Sequence, residues 1–190
     1  IRVAATSDHC PVDFLLYMLL FMKFLSGPIE RSADLLPQVR KLSPASYSMM
    51  TYGLKLIVVG LMKKVLIADR LAPHLDSIFA SVQDASGAQL LLAGLLYPIE
   101  LYADFSGYTD MAIGIGMLFG LKLSSNFAHP FAAQTTAEFW RRWHITLGRW
   151  FRDYVYIPLG GSRKGRLRTM FNLFAVWILT ALWPGAGYNF

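Results

Sequence analysis

Apolar runs and short polar breaks alternate along this chain. The apolar runs cover residues 12–25, 47–68, 88–103, 108–121 and 169–183. A helix needs about 20 predominantly apolar residues to cross a bilayer, so the short run 12–25 is expected to be tilted, extended upstream or re-entrant. The pattern predicts an all-α, polytopic helical membrane protein.

Polar residues between these runs predict a loop and a hinge. Residues 26–45 contain three prolines among charges, which indicates a polar connecting loop. The polar stretch 103–107 separates two apolar halves, and Asp104 and Asp110 flank residues 106–108 of this hinge region. These two carboxylates either hold a hinge open and orient a polar acceptor or cap the second half-helix.

Composition favours a chain whose outer surface meets lipid. Apolar residues make up 55% of the 190 residues and charged residues only 16%, whereas soluble domains carry about 25% charged residues. Cys10 is the only cysteine, so no disulfide can form within the chain. The chain opens at Ile1 without a signal peptide and stops at Phe190 within an apparent helix or its cap. We expect a single membrane domain over residues 1–190, incomplete at both ends.

Residues 138–168 are both basic and aromatic. They carry eight basic and two acidic residues, and their net charge of +6 equals that of the whole chain. On a helical wheel one face comprises Trp140, Trp143, His144, Leu147, Phe151 and Tyr154, and the opposite face comprises Arg142, Arg149 and Asp153. This pattern predicts an amphipathic helix that is interfacial or dips into the bilayer. Its expected partner is the lipid bilayer, through anionic headgroups, and not nucleic acid.

Charge spacing within this segment leads to two further predictions. Glu138 with Arg142, and Arg149 with Asp153, are spaced to form i,i+4 ion pairs. The loop 162–168 is densely positive and is therefore expected on the cytoplasmic side of the membrane.

Three long motifs resemble one known family. They are NFAHPFAAQTTAEFWRRWHITLGRWFRDYVYIPLGGSR at residues 126–163, KFLSGPIER at residues 23–31 and YPIELYADFSGYTDMAIGIGMLFGLKL at residues 97–123. Together they resemble the membrane-bound O-acyltransferases, in particular the bacterial branch with the alginate O-acetyltransferase and the D-alanyl transfer protein of teichoic acids. The similarity runs over most of the chain and in order.

The resemblance implies a helical funnel through the bacterial cytoplasmic (inner) membrane. An acyl group, acetyl by default, would arrive on a thioester donor (acyl-CoA or an acyl carrier protein) from the cytosolic side, with no bound cofactor. It would pass toward hydroxyls of an exported polysaccharide or cell-wall polymer, often through an extracytoplasmic partner protein. A buried histidine can serve as general base for such a transfer, because its ordinary pKa lies near working pH.

One departure from the family affects the expected base. The family's principal catalytic histidine stands at the position of Pro184 in the run 183–190, and proline has no ionisable side chain. Three explanations stay open: an inactive relative kept as a membrane scaffold, an isolated variation in an ordinary acyltransferase, or takeover by another histidine. His144 is the candidate for that takeover, since the bacterial family has a second functional histidine there. The alternative is that His144 merely packs among neighbouring rings.

Weaker candidates complete the predicted site. Trp140 and Trp143, with Asp104 and Asp110, are candidates for substrate contact. His129, before a proline, is expected to be structural, and no residues have the spacing of metal ligands. The sequence thus favours an O-acyltransferase, then a catalytically silent scaffold, then a transporter, for which no inverted repeat is visible.

Overall fold

The computed structural model describes residues 11–24 and 26–182. Their α-helices are α1 (Pro11–Leu19), α2 (Ser32–Arg40), α3 (Tyr47–Met62), α4 (Asp69–Ala80), α5 (Gly87–Leu118), α6 (Thr136–Arg142), α7 (Ile145–Phe151) and α8 (Arg166–Leu182). Short 3₁₀ turns lie at Phe21–Lys23 and Pro130–Ala132, and π-helical segments at Lys63–Ala68 and Arg152–Tyr156. The predicted all-α class is confirmed. Among the described residues, no helix is both long enough and apolar enough to cross a membrane.

The chain groups by its contacts into two compact units. The N-terminal unit extends to Asn126, and within the described residues the C-terminal unit begins at Phe127. That one membrane domain covers residues 1–190 stays a prediction.

The N-terminal unit is built on the long helix α5. Ser86 begins it with a capping box, in which its hydroxyl accepts from the Gln89 amide while the Gln89 side chain accepts from the Ser86 amide. The predicted hinge at residues 103–107 is wrong, because these residues lie inside this continuous helix of 32 residues. Asp104 of this stretch pairs with Lys64 of the preceding helical segment.

Glycines set the contact between α3 and α5. A Cβ atom added to Gly53 would lie 2.7 Å from the Gly114 carbonyl oxygen, and one added to Gly60 would lie 2.5 Å from that of Gly107. Since real Cβ atoms do not approach this closely, the two helices pack backbone to backbone. Gly53 faces Gly114 and Gly60 faces Gly107, so residue numbers rise along one helix as they fall along the other and the two helices are antiparallel.

Residues 26–45 are not simply a connecting loop, because α2 lies within them. Leu35 of α2 is fully buried in a cluster with Met22, Ile113 and Leu121. The Gln38 side chain also pairs with the segment after α5, donating to the Lys122 carbonyl (3.2 Å) and accepting from the Lys122 amide (2.9 Å). Burial and these long-range bonds stabilise a helix that the local prolines and charges did not predict.

Candidate functional site

The C-terminal unit places His144 at a break between two helices. Helix α6 ends at Arg142, Trp143 is extended, and His144 has a left-handed backbone with φ 41°. The prediction of one continuous amphipathic helix is therefore wrong. The Arg142 carbonyl, which would accept the next bond of a continuing helix, instead accepts from the Ala128 amide at 3.0 Å. The chain restarts as α7, where the Gly148 amide donates to the His144 carbonyl.

The Arg142 side chain also stabilises the end of α6, through hydrogen bonds to two other residues. It donates to the Glu138 carboxylate (2.5 Å) and to the His129 carbonyl (3.3 Å), which confirms the predicted Glu138–Arg142 pair. The pKa of Glu138 lies below its ordinary value, first because the Gln134 amide donates to it at 2.9 Å and then because of Arg142. His129 is also left-handed, with φ 50°.

Aromatic rings surround Trp143. Its ring stacks on Phe139 with centroids 5.6 Å apart and meets Phe127 edge-on at 5.0 Å. Trp140 instead meets Trp177 of α8 edge-on at 4.8 Å. Phe139 also meets Trp140 edge-on at 5.3 Å and thereby joins Trp140 and Trp143 in one ring cluster. Their contact with substrate stays a prediction.

His144 is largely buried, and the residues after it are more so. Burial lowers the pKa of His144 from 6.5 to about 4, because desolvation disfavours the charged imidazolium. Thr146, Leu147 and Phe151 of α7 are buried at 3%, 6% and 4% exposure. At neutral pH the imidazole is therefore uncharged, as a proton acceptor must be, although such a low pKa makes it a weak base.

Asp104 and Asp110 form ion pairs within the N-terminal unit. Lys63 donates to Asp110 and Lys64 to Asp104, each at 2.6 Å, and Lys64 also pairs with Asp69 at 2.7 Å. Both lysines belong to the π-helical segment, which changes the helical register and presents two consecutive side chains to α5. Neither aspartate caps a helix or lines an open hinge, so both of those interpretations are wrong. A contact with acceptor stays a prediction.

Two other contacts in the C-terminal unit were not predicted correctly from the sequence. One joins a different pair of residues, and the other was not predicted at all. Asp153 pairs with Arg152 at 2.8 Å and not with Arg149, because the π-helical segment begins there and alters the i,i+4 register. Asn172 of α8 is completely buried and donates to the carbonyls of Leu159 (3.3 Å) and Gly161 (2.9 Å). A single amide side chain inside the apolar run 169–183 was the available signal for this contact.

Two predictions concern position 184 and metal ligands, and both depend on which residues the structure describes. Pro184 lies outside the described residues. Within residues 11–24 and 26–182, no group of three or more His, Cys, Asp or Glu side chains could hold a metal ion.

Comparison with known proteins gives consistent relatives over nearly the whole chain. It is 41% identical over 179 residues to the probable alginate O-acetylase AlgI of Pseudomonas putida, covering 94% of this chain and 36% of that protein. It is 41% identical over 181 residues to the peptidoglycan O-acetyltransferase of Helicobacter pylori, covering 94% and 34%. It is 32% identical over 163 residues to the teichoic acid D-alanyltransferase of Bacillus subtilis, covering 82% and 40%.

The chain thus spans little more than a third of the length of these curated relatives. A model of MBOAT, the membrane-bound O-acyltransferase family, matches residues 2–189. The motifs that carry the sequence resemblance, including the segment around His144, fall within that match. The chain belongs to the membrane-bound O-acyltransferase family.

Proposed function

We propose that this chain is part of a bacterial inner-membrane enzyme that transfers an acyl group, by default acetyl, to hydroxyls of an exported polysaccharide or cell-wall polymer. The observation that carries this proposal is the family match over residues 2–189. The relatives' names support it, since they describe transfer of acetyl to alginate or peptidoglycan and of D-alanine to teichoic acid. Multi-pass insertion in the cytoplasmic membrane belongs to the same proposal.

In the proposed reaction His144 is the general base. The acceptor hydroxyl attacks the thioester carbonyl and its proton passes to the imidazole; the C–S bond then breaks, the new ester forms, and the leaving thiolate takes the proton from the imidazolium to depart as the thiol. A neutral imidazole at the start of α7 supports this role. The acyl thioester enters from the cytosolic side, where the positive loop 162–168 lies, and an extracytoplasmic protein completes delivery to the polymer.

A catalytically silent scaffold is the second candidate function. The observation that favours it is Pro184, at the position where the family's principal catalytic histidine is expected. Proline can neither accept a proton nor donate a backbone hydrogen bond. In this case the chain would keep the family's fold and partner surface without transferring acyl groups.

A complementation experiment tests the proposed function. The gene encoding the full-length protein is deleted in its host, and acyl groups released by mild alkali from the exported polymers are measured. We expect the deletion to lower the acyl content of one polymer, the unchanged gene to restore it, and His144→Ala to fail to restore it although the protein is inserted at equal abundance. If neither deletion nor complementation changes the acyl content of any exported polymer, the scaffold function is favoured.

A further inference from the structure

Arg142 connects three parts of the C-terminal unit at the point where α6 ends. Its guanidinium donates to Glu138 on the same helix and to the His129 carbonyl in the preceding turn. Its own carbonyl accepts from the Ala128 amide. The side chain and backbone of one residue therefore tie the turn 128–133 to the end of α6, two residues before His144.

Both left-handed residues of the described chain other than glycine, His129 and His144, are adjacent to this connection. A non-glycine residue adopts this backbone conformation only when its surroundings hold it there. The ring of Trp143, between Arg142 and His144, is packed on Phe139 and Phe127. On the other side of His144, the buried side chains of α7 fix the chain. The backbone of His144 is thus held from both directions.

We propose that Arg142 is a positioning residue that fixes the imidazole of His144. Because Arg142 forms two hydrogen bonds with groups in different segments, its loss frees the turn and the helix end together. The ring of His144 then samples other orientations and becomes more accessible to solvent. The consequence for acyl transfer rests on the proposed function, whereas the consequence for the orientation of His144 does not.

The fork geometry of arginine is necessary for this role. A guanidinium presents five N–H donors in a plane and can bind a carboxylate and a carbonyl at the same time. A lysine ammonium keeps the charge opposite Glu138 but does not reproduce the fork. Arg142→Lys is therefore expected to hold His144 partly, and Arg142→Gln hardly at all.

Reactivity of His144 tests the proposal independently of catalysis. The full-length protein in lipid nanodiscs is treated at pH 7 with diethyl pyrocarbonate, which modifies neutral imidazoles, and each histidine is followed by mass spectrometry. We expect His144 to react about tenfold faster in Arg142→Gln than in the unchanged protein, since loss of charged hydrogen bonds raises the population of locally open states. Arg142→Lys should give an intermediate rate.

Matched controls separate local release from general loosening. Arg141→Gln makes the same change of charge on the adjacent, exposed residue of α6, and should leave the His144 rate unchanged. His74, exposed in the other unit, serves as the internal reference. If Arg142→Gln does not fold, Glu138→Ala removes the carboxylate partner and should raise the His144 rate in the same direction. Equal His144 rates in Arg142→Gln and Arg141→Gln would overturn the proposal.

Acyl transfer by the same variants separates this inference from the proposed function. We expect Arg142→Gln to lower kcat by about tenfold with little change in KM for the thioester, because positioning of a base acts on the chemical step. Loss of transfer in His144→Ala together with unchanged kcat and unchanged labelling in Arg142→Gln would leave the proposed function standing and overturn the positioning role. Faster labelling of His144 in Arg142→Gln, with no effect of His144→Ala on transfer, would leave the positioning role standing and overturn the proposed role of His144 as general base.

Discussion

Gly60 of α3 and Gly107 of α5 face each other with no room for a side chain on either. A Cβ atom on Gly60 would lie 2.5 Å from the Gly107 carbonyl oxygen, and one on Gly107 would lie 2.8 Å from that of Gly60. Lys63 and Lys64 follow Gly60 within one turn, on the segment whose side chains reach Asp110 and Asp104. The close approach of the backbones and the ion pairs therefore belong to one interface.

Adding a side chain at Gly107 should destabilise this interface. We expect Gly107→Leu to lower the free energy of unfolding by about 1–3 kcal/mol or more, the usual cost of overpacking. Gly94→Ala on the same helix is the matched control, since nothing lies within 4 Å of its added Cβ, and it should raise stability by up to about 1 kcal/mol. Thermal and denaturant unfolding of the full-length protein in detergent measures both. Similar effects of the two changes would contradict the close packing.

The two lysine–aspartate pairs should differ in strength. The side chains of Lys63 and Asp110 are 25% and 22% exposed, whereas those of Lys64 and Asp104 are 41% and 45% exposed. Removing one partner of a less solvated pair leaves a poorly hydrated charge, so Lys63→Met should cost about 1–3 kcal/mol. The more exposed pair should contribute no more than about 1 kcal/mol.

A double-mutant cycle checks this difference. The combined change Lys63→Met with Asp110→Asn should recover much of the stability lost in either single variant, because no lone charge is then left at the interface. The cycle on Lys64 and Asp104 should give a smaller coupling energy. Equal coupling energies for both cycles would argue against a role for solvent exposure.

Local sequence predicted the helical class and some of the contacts, but not the breaks. The Glu138–Arg142 pair follows from i,i+4 spacing, and the helical class follows from the apolar runs. The supposed hinge at Asp104 was wrong because its partner, Lys64, lies 40 residues away in the sequence. Lys64 thus pairs with the Asp104 carboxylate inside the helix, whereas the neighbouring sequence alone suggested that Asp104 lies at a helix end.

The break at His144 shows the same limitation. A helical wheel placed His144 on a continuous apolar face, and nothing in residues 140–147 marks a stop such as glycine or proline. The helix ends because the Arg142 carbonyl is bonded to the Ala128 amide, 14 residues earlier. A three-dimensional contact therefore determined the local conformation at the candidate base.

Burial of His144 should make stability depend on pH. Its pKa is lowered from 6.5 to about 4 in the folded chain, so the unfolded chain binds more protons between these values. Stability from this group is complete above pH 6.5 and is lost as the pH falls toward 4. At 1.36 kcal/mol per pKa unit, the loss reaches about 2–3 kcal/mol near pH 4.5.

His144→Asn provides the comparison for this pH dependence. Asparagine does not titrate, and it tolerates the left-handed backbone of this position. The difference in unfolding free energy between the two proteins, measured from pH 7.5 to 4.5, should shift in favour of the variant as the pH falls. A difference that stays constant over that range would show that His144 is not desolvated in the folded protein.

Trp140 and Trp143 should contribute differently to the stability of the folded protein. Trp143 packs on Phe127 and Phe139, whereas Trp140 is 41% exposed. We expect Trp143→Ala to cost about 3–5 kcal/mol of stability and Trp140→Ala clearly less. Unfolding of both variants in detergent gives the comparison. If Trp140 also contacts substrate, Trp140→Ala should raise KM for the thioester while stability changes little, and an unchanged KM would remove it from the candidate site.

Restoring the family's histidine distinguishes an enzyme limited by Pro184 from one that relies on His144. We expect Pro184→His to raise acyl transfer by the full-length protein about 10²–10⁴-fold if the unchanged chain lacks its base, the range that a general base contributes. If His144 already acts as the base, the unchanged protein is active, Pro184→His adds little and His144→Ala abolishes transfer.

Pro184→Ala is the control, since it removes the backbone constraint of proline without supplying a proton acceptor. An equal gain from alanine and histidine would mean that proline had distorted the site and not that a base was missing. No transfer by any of these variants, with the protein folded and inserted, would favour the scaffold.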